Sequence, residues 1–113
     1  MPDTDHRPRT PEAFEVMSAE INEACEILKA MASETRLKIL CALADGEKPV
    51  SELAEMTGQS FSAVSQHLAK LRASNLVESR RDAQSIFYRR TPGVGEILVD
   101  TLCDFYGKKA DAA

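Results

Sequence analysis

Residues 51–74 read SELAEMTGQSFSAVSQHLAKLRAS, and residues 76–90 read LVESRRDAQSIFYRR. The first stretch predicts a short helix, a break at Thr57-Gly58 and a second helix that begins near Gln59. The second stretch is rich in β-branched and aromatic residues around a polar tip, Arg81-Asp82-Ala83-Gln84, which predicts a β-hairpin. The turn lacks Gly, so its type stays open. Two helices joined by a tight break and followed by a hairpin are typical of a winged helix-turn-helix.

The second of these helices has a core face and a polar face. Val64, Leu68 and Leu71 recur at helical spacing and form the core face. A helix that enters the major groove of DNA needs small side chains for close approach and hydrogen-bonding side chains for base edges. The residues that we expect to contact DNA from this helix are Ser60, Ser62, Ala63, Gln66 and Lys70. The hairpin adds Arg80, Arg81 and Gln84, which suit phosphates or the minor groove.

Two further residues of this helix fit more than one role. His67 lies near the edge of the core face, which favours a structural role over base contact. Phe61 fits either a cap on the core at the start of the helix or a contact with a thymine methyl group in the groove. We favour the core position for Phe61.

The charge of the chain is unevenly distributed. The whole sequence carries a formal net charge of −4, which alone argues against a nucleic-acid partner. The segment from Gln59 to Arg90, however, contains six cationic residues and only two carboxylates. A basic segment on an acidic body produces a directional field that suits a DNA-binding face.

The rest of the chain predicts a single, mainly α-helical domain with one small hairpin. The length of 113 residues is enough for one core. We expect a disordered arm at residues 1–9, a domain at residues 10–107 and a tail at residues 108–113. Within the domain we expect a first helix at 11–32, the helix-turn-helix at 51–74, the hairpin at 76–90 and a last helix at 93–106 that Gly107 ends.

The first and last helices predict a homodimer. Their apolar residues recur at helical spacing over long stretches, from Phe14 to Met31 and from Val94 to Phe105. This is more apolar surface than the remaining small domain can cover, and such stripes usually bind a partner. A symmetric dimer places its two DNA-reading helices about 34 Å apart, which predicts a near-palindromic operator in double-stranded DNA.

Several stretches resemble the ArsR/SmtB family of bacterial repressors. They are LKAMA at residues 28–32, RLKIL at 36–40, SQHL at 65–68 and RDAQSIFY at 81–88. The resemblance covers roughly residues 20–107. It implies a homodimeric winged helix-turn-helix repressor that pairs through its first and last helices. It also implies an effector, usually a metal or a thiol oxidant, that releases the operator.

The three cysteines decide between effectors. Metal sites of this family need Cys-x-Cys on the third helix or His and acid clusters on the last, and neither occurs here, so we expect no metal and no cofactor. Cys41 resembles the first cysteine of the persulfide-responsive branch, which implies a link to Cys103 and a reactive sulfur species or oxidant as inducer. Cys103 lies one turn before the position typical of that branch, where Gly107 stands.

Other interpretations of the cysteines and of the whole chain stay open. Cys41 also fits a small buried apolar residue, and Cys25 fits the core stripe of the first helix. The tail DFYG at residues 104–107 also resembles the nodulation-type repressors of the family. A protein-contact module is a further alternative. We expect no enzyme, because no positioned His base or phosphate-binding loop accompanies the thiols. The N-terminus lacks the apolar core of a signal peptide, so we expect a cytoplasmic protein.

Overall fold

The computed structural model describes residues 7–112 and the side chains of residues 7–108. Six helices surround a small antiparallel sheet. The helices are α1 (Pro11–Ala19), α2 (Ile21–Met31), α3 (Glu34–Ala42), α4 (Val50–Thr57), α5 (Phe61–Ala73) and α6 (Val94–Ala112), with one 3₁₀ turn at Leu43–Asp45. The strands are β1 (Lys48–Pro49), β2 (Val77–Asp82) and β3 (Ser85–Arg90), in the order β1-β3-β2. The prediction of a mainly helical winged helix-turn-helix is confirmed.

Side-chain caps fix the starts of three helices. Thr10 accepts a hydrogen bond from the backbone N–H of Ala13 at 3.0 Å, and Pro11 occupies the first turn of α1. Ser33 and Ser60 make the same bond at the starts of α3 and α5. Since each cap satisfies a backbone donor that the helix leaves free, these residues set where the chain turns into a helix.

The core joins α3, α4, α5, β2 and α6. The completely buried side chains are large aliphatic ones: Ile39, Leu40, Leu53, Val64, Leu68, Leu71, Val77 and Val99. The predicted core face of α5 is therefore confirmed. Gly95 lets the backbone of α6 lie close to the side chain of Leu76, because a Cβ at position 95 would lie 2.3 Å from Leu76 Cδ2.

The hairpin turns over Ala83 and Gln84, with Asp82 paired to Ser85. Of the two central residues only Ala83 has a positive φ, of 56°. A positive φ at the first central position alone is the pattern of a type II′ turn, which normally has Gly there. The alanine therefore carries some backbone strain.

Two helix boundaries differ from the prediction. The expected first helix is divided at Glu20, a turn residue between α1 and α2 whose backbone (φ −97°, ψ −4°) stays in the right-handed region. All of α1 is exposed in the single chain, so no packing holds it in line with α2. The last helix continues through Gly107 to Ala112, because Gly107 stays helical and forms no left-handed cap.

The predicted N-terminal arm lies mostly outside the described residues, since residues 1–6 are not described. Residues 7–9 are exposed and form no helix or strand. The predicted tail at 108–113 overlaps the end of α6. Among the helices of the described part, none is long and apolar enough to cross a membrane.

Large apolar side chains remain exposed along α1, α2 and α6. Phe14, Met17 and Leu28 on the first two helices are each at least half exposed. Val94, Ile97 and Phe105 on α6 are also at least half exposed. Of the predicted stripe on the first helices, only Met31 is buried, together with Ile27. The single chain thus leaves uncovered the two apolar faces that the sequence assigns to a dimer.

Candidate DNA-binding surface and cysteine pair

The outward face of α5 is small and polar. Ser62, Gln66 and Lys70 are spaced four residues apart, so they lie on one face, and all three are exposed. Ala63 is half-buried beside them. Ser60 is exposed, but its hydroxyl oxygen accepts the capping bond from Ala63 N–H at 3.1 Å. Ser60 therefore retains its hydroxyl proton and one acceptor lone pair for further bonds.

The turn between α4 and α5 fixes the orientation of α5 relative to α4. Gly58 adopts a left-handed conformation (φ 68°, ψ 21°) at the end of α4. Gln59 N–H then bonds back to the carbonyl oxygen of Ala54 at 3.2 Å. Such a C-terminal motif favours Gly, because other residues are strained at positive φ.

Arg36 ties α5 to the end of α2. Its Nε donates to the carbonyl oxygen of Ala30 at 2.6 Å, and its Nη1 lies 3.4 Å from His67 Nδ1. An arginine only donates, so His67 Nδ1 accepts and the ring proton resides on Nε2. Burial, and then the charges of Arg36 and Lys70, lower the pKa of His67. His67 is half-buried and makes the structural contact that the sequence favoured.

The hairpin, or wing (residues 77–90), presents its basic residues unequally. Arg80 is held by both carboxylate oxygens of Glu47, with Nε donating at 3.0 and 2.9 Å, and its guanidinium lies 4.8 Å from the centre of the Phe87 ring. Arg81 and Gln84 are exposed at the tip, and Arg81 makes no ion pair with the described side chains. Arg80, which the sequence predicts to contact DNA, is thus paired within the chain, and its contact with DNA stays a prediction.

The positive charge of the segment is therefore partly neutralised. Arg89 pairs with Glu78, and Arg90 donates to Asp100 Oδ1 at 2.7 Å. Together with Arg80, half of the six cations counted in the sequence have carboxylate partners. The other three, Lys70, Arg72 and Arg81, have none among residues 7–108.

Phe61 is exposed. It is the first residue of α5, and 60% of its surface is accessible, so the preferred core position is wrong. The start of α5 projects past the core, whose first buried residue on this helix is Val64. Phe61 instead lines a cleft between α5 and the wing.

Two of the three cysteines meet. Cys103 Sγ on α6 lies 3.3 Å from Cys41 Sγ on α3, and both residues are half-buried. The offset of one turn that the sequence suggested does not separate them, because α6 crosses α3 at this level. Cys25 is exposed in the single chain, so its predicted core position is wrong. It lies on α2, where Ile27 and Met31 form the buried face instead.

The surroundings of Cys41 oppose its ionisation. Burial, followed by the contact with Cys103, raises the pKa of Cys41 to about 11, while the nearby charge of Arg90 acts in the opposite direction. Cys41 is therefore a thiol at neutral pH in the reduced protein. Among the described residues, no group of three His, Cys, Asp or Glu side chains is placed to hold a metal ion.

Comparison with known proteins agrees with this architecture. Residues 33–79 match the model of the bacterial regulatory protein, arsR family. The chain is 46% identical over 106 residues to the nodulation protein NolR of Rhizobium meliloti, a match that covers 94% of this chain and 84% of NolR. The chain belongs to the ArsR family of transcriptional regulators. A regulator of this family acts by binding DNA and is not an enzyme.

Solved structures agree with the fold of this ArsR-family protein. The structure of reduced HlyU from Vibrio cholerae is 41% identical, with a TM-score of 0.77, and the match covers 81% of this chain and 97% of that one. A homodimeric winged helix-turn-helix DNA-binding domain from Mycobacterium bovis is 28% identical, with a TM-score of 0.71 and coverage of 86% and 90%.

Sequence reasoning missed the partners that position the site of this ArsR-family protein. Glu47 precedes Arg80 by 33 residues, and Arg36 precedes His67 by 31. Neither separation has a local periodic signal, so only the tertiary structure pairs them. Arg90 was counted as part of the basic segment, whereas its side chain is only 10% exposed and ties β3 to α6.

Proposed function

We propose that this chain is a homodimeric repressor that releases its operator when Cys41 and Cys103 become covalently linked. The observation that carries the proposal is the distance of 3.3 Å between the two sulfur atoms, which belong to different helices. A disulfide needs about 2.05 Å, so closure asks for a shift of little more than 1 Å. The exposed apolar faces of α1, α2 and α6 support the dimer, which acts on bacterial DNA in the cytoplasm.

A persulfide supplies the oxidising equivalents. Cys103 attacks the outer sulfur of a persulfide RSSH, which leaves Cys103 as a persulfide and releases RSH. Cys41 then attacks the Cys103 sulfur and loses its proton to solvent, and hydrosulfide leaves as the disulfide forms. An alkyl hydroperoxide accepts the same two electrons and is reduced to an alcohol and water. We assign the first attack to Cys103 because Cys41 is held protonated.

The link changes the relation between sensor and wing. Arg90 at the end of β3 is bonded to Asp100, which lies one turn before Cys103 on α6. A shift of α6 toward α3 therefore moves the base of the wing as well as the dimer-forming face of α6. A change of a few ångströms in the spacing of the two α5 helices breaks base contacts, and the coupling required is about 1–3 kcal/mol.

Operator affinity before and after treatment with a persulfide donor tests the thiol proposal. We expect the wild-type protein to lose about 5- to 150-fold in affinity, and we expect Cys41→Ser and Cys103→Ser to lose none. Cys25→Ser is the matched control and behaves as wild type. Intact mass after peroxide treatment should fall by two hydrogen atoms in wild type. Unchanged affinity in treated wild type contradicts thiol sensing and leaves a repressor without it.

For DNA recognition we propose that Ser62, Gln66 and Lys70 meet base edges while Arg81 and Gln84 meet the backbone or minor groove. Two observations support these roles. All five side chains are exposed, with the first three on one face of α5, and neither Lys70 nor Arg81 forms an ion pair within the described residues. Ser60 and Ala63 line the start of the helix, where Ser60 has a proton to donate to a phosphate and Ala63 permits close approach. Arg80 contributes to DNA binding only after it leaves Glu47.

Salt dependence and sequence preference separate these roles. Arg81→Ala should reduce the slope of log affinity against log salt by about one, whereas Arg80→Ala should change it less. Gln66→Ala should relax preference at one base pair of each half-site. If duplex DNA shows no salt-sensitive binding to the wild-type protein, the chain is a protein-contact module instead.

A further inference from the structure

A large aromatic side chain stands on the DNA-facing side of the molecule. Phe61 is 60% exposed at the first position of α5. Most other strongly exposed apolar side chains lie on α1, α2 and α6, where a second subunit covers them. Phe61 lies apart from those faces, so dimer formation does not account for it.

Phe61 forms one wall of a cleft of about 270 Å³ between α5 and the wing. Ile86, which is 37% exposed, and Tyr88 belong to the wing side of the cleft. Ser65 and Gln84 add polar groups. The lining of the cleft is mixed, with apolar and polar side chains in similar proportion. It also lies between the two elements that meet DNA in a winged helix-turn-helix, so DNA is its natural occupant.

The chemistry of the phenyl ring limits what it reads. The first residues of a recognition helix approach base edges in the major groove. A phenyl ring offers no hydrogen bond, and the apolar group on those edges is the 5-methyl group of thymine. We propose that Phe61, opposite Ile86, recognises the 5-methyl group of one thymine in each operator half-site. This inference rests on the DNA-binding role and is independent of the cysteine chemistry.

Replacement of thymine by deoxyuridine tests the inference, because it removes only the methyl group. The probe is a duplex that the wild-type protein selects from a random pool, with each thymine position replaced in turn in both half-sites. We expect one position at which the replacement lowers wild-type affinity by about fourfold per half-site, the effect of burying one methyl group. Phe61→Ala should bind the thymine and deoxyuridine duplexes equally at that position.

Two variants complete the experiment. Phe61→Leu keeps an apolar side chain and should retain part of the discrimination, which covers the case that Phe61→Ala binds too weakly to measure. Met56→Ala is the matched control, since Met56 is 55% exposed but lines a different cleft with Leu37 and Cys41. It should keep the wild-type profile.

Two results would overturn the inference. One is equal affinity of wild type for thymine and deoxyuridine at every position, and the other is full discrimination in both Phe61 variants. Failure of the wild-type protein to select any duplex would overturn the DNA-binding role along with it, so the two failures are distinguishable.

Discussion

Cys41 shows how its surroundings set the chemistry of a single residue. In sequence it is one thiol among three, on a helix without nearby His. In the folded chain it is half-buried against Cys103, and both burial and that contact raise its pKa to about 11. The same contact that disfavours its ionisation places it within reach of a partner sulfur. Cys41 therefore reacts slowly with external alkylating agents, yet it is positioned to form a disulfide with Cys103.

Removal of Cys103 should make Cys41 more reactive. In Cys103→Ser the sulfur contact that contributes to the raised pKa is lost, so the pKa of Cys41 falls, although burial keeps it above the ordinary value. Because only the thiolate reacts, alkylation of Cys41 by iodoacetamide at pH 8 should be faster in this variant. Peptide mapping by mass spectrometry measures the rate, with exposed Cys25 as an internal reference. An unchanged or slower rate contradicts the effect assigned to Cys103.

Ala83 offers a test of backbone strain. Its φ of 56° is costly for alanine and free for glycine, so Ala83→Gly should stabilise the protein by about 1 kcal/mol. Chemical denaturation at fixed protein concentration measures the change. Ala69→Gly, in the middle of α5, is the control of opposite sign and should cost about 1 kcal/mol. Destabilisation by Ala83→Gly would contradict the turn geometry.

At the scale of elements, α5 is held at its start, along its core face and from its side. Ser60 caps its start, the core residues hold one face, and His67 joins it to Arg36 and so to the end of α2. The proposed DNA-binding helix is therefore joined, through Arg36, to the end of one of the helices that we propose form the dimer. We expect a change in subunit packing to reach α5 through the contacts of Arg36 with Ala30 and His67, which all lie within one subunit.

Protonation of His67 should loosen this attachment. The pKa of His67 is lowered in the folded protein, so folding favours the neutral imidazole. The stability that this neutral imidazole contributes is fully present above the ordinary histidine pKa of about 6.5. That contribution is lost as pH falls through the lowered pKa, since protonated Nδ1 then faces Arg36. Wild-type stability should therefore decrease between pH 7.5 and 5.5.

Denaturation curves at both pH values measure this effect. His67→Gln supplies an acceptor that does not titrate and should show a smaller decrease. His6→Gln changes the other histidine of the chain and should behave as wild type. Equal pH dependence in all three proteins would remove His67 as the titrating group.

The sequence predicts some elements well because their signals are local. Residues 51–90 carry helical spacing, a Gly break and a polar hairpin tip within a short stretch, and all of these elements form. The division of the first helix at Glu20 has no such signal, because α1 and α2 share one apolar period. The exposure of Phe61 depends on how far α5 projects beyond the core. The pairing of Cys41 with Cys103, 62 residues apart, depends on the crossing of α3 and α6.

At the scale of the whole molecule, the uncovered apolar faces of α1, α2 and α6 are the proposed dimer interface. Ile97 and Phe105 are each 64% exposed on α6, and Phe14 is 61% exposed on α1. Burial of these side chains against a second subunit removes apolar surface from water and so stabilises the pair. In the proposed dimer that contact sets the spacing of the two α5 helices.

A charge on this face should separate the subunits. Ile97→Glu introduces two carboxylates into a symmetric interface, and we expect the dimer to weaken by about a hundredfold or more. Sedimentation velocity over a range of concentrations measures the dissociation constant. Met56→Glu adds the same charge at an exposed apolar residue on α4 and should leave the dimer intact. A dimer unaffected by Ile97→Glu would place the interface elsewhere.

The sulfur atoms of Cys41 and Cys103 belong to the same polypeptide, so each subunit of a dimer can form its link independently of the other. Under the proposed mechanism every subunit carries a complete switch, so a pair of subunits has three forms: unmodified, modified on one side and modified on both. At low doses of inducer most pairs are unmodified, and the singly modified form is the more abundant of the two modified forms. If it still occupies one half-site, gene expression rises gradually with dose rather than at a sharp threshold.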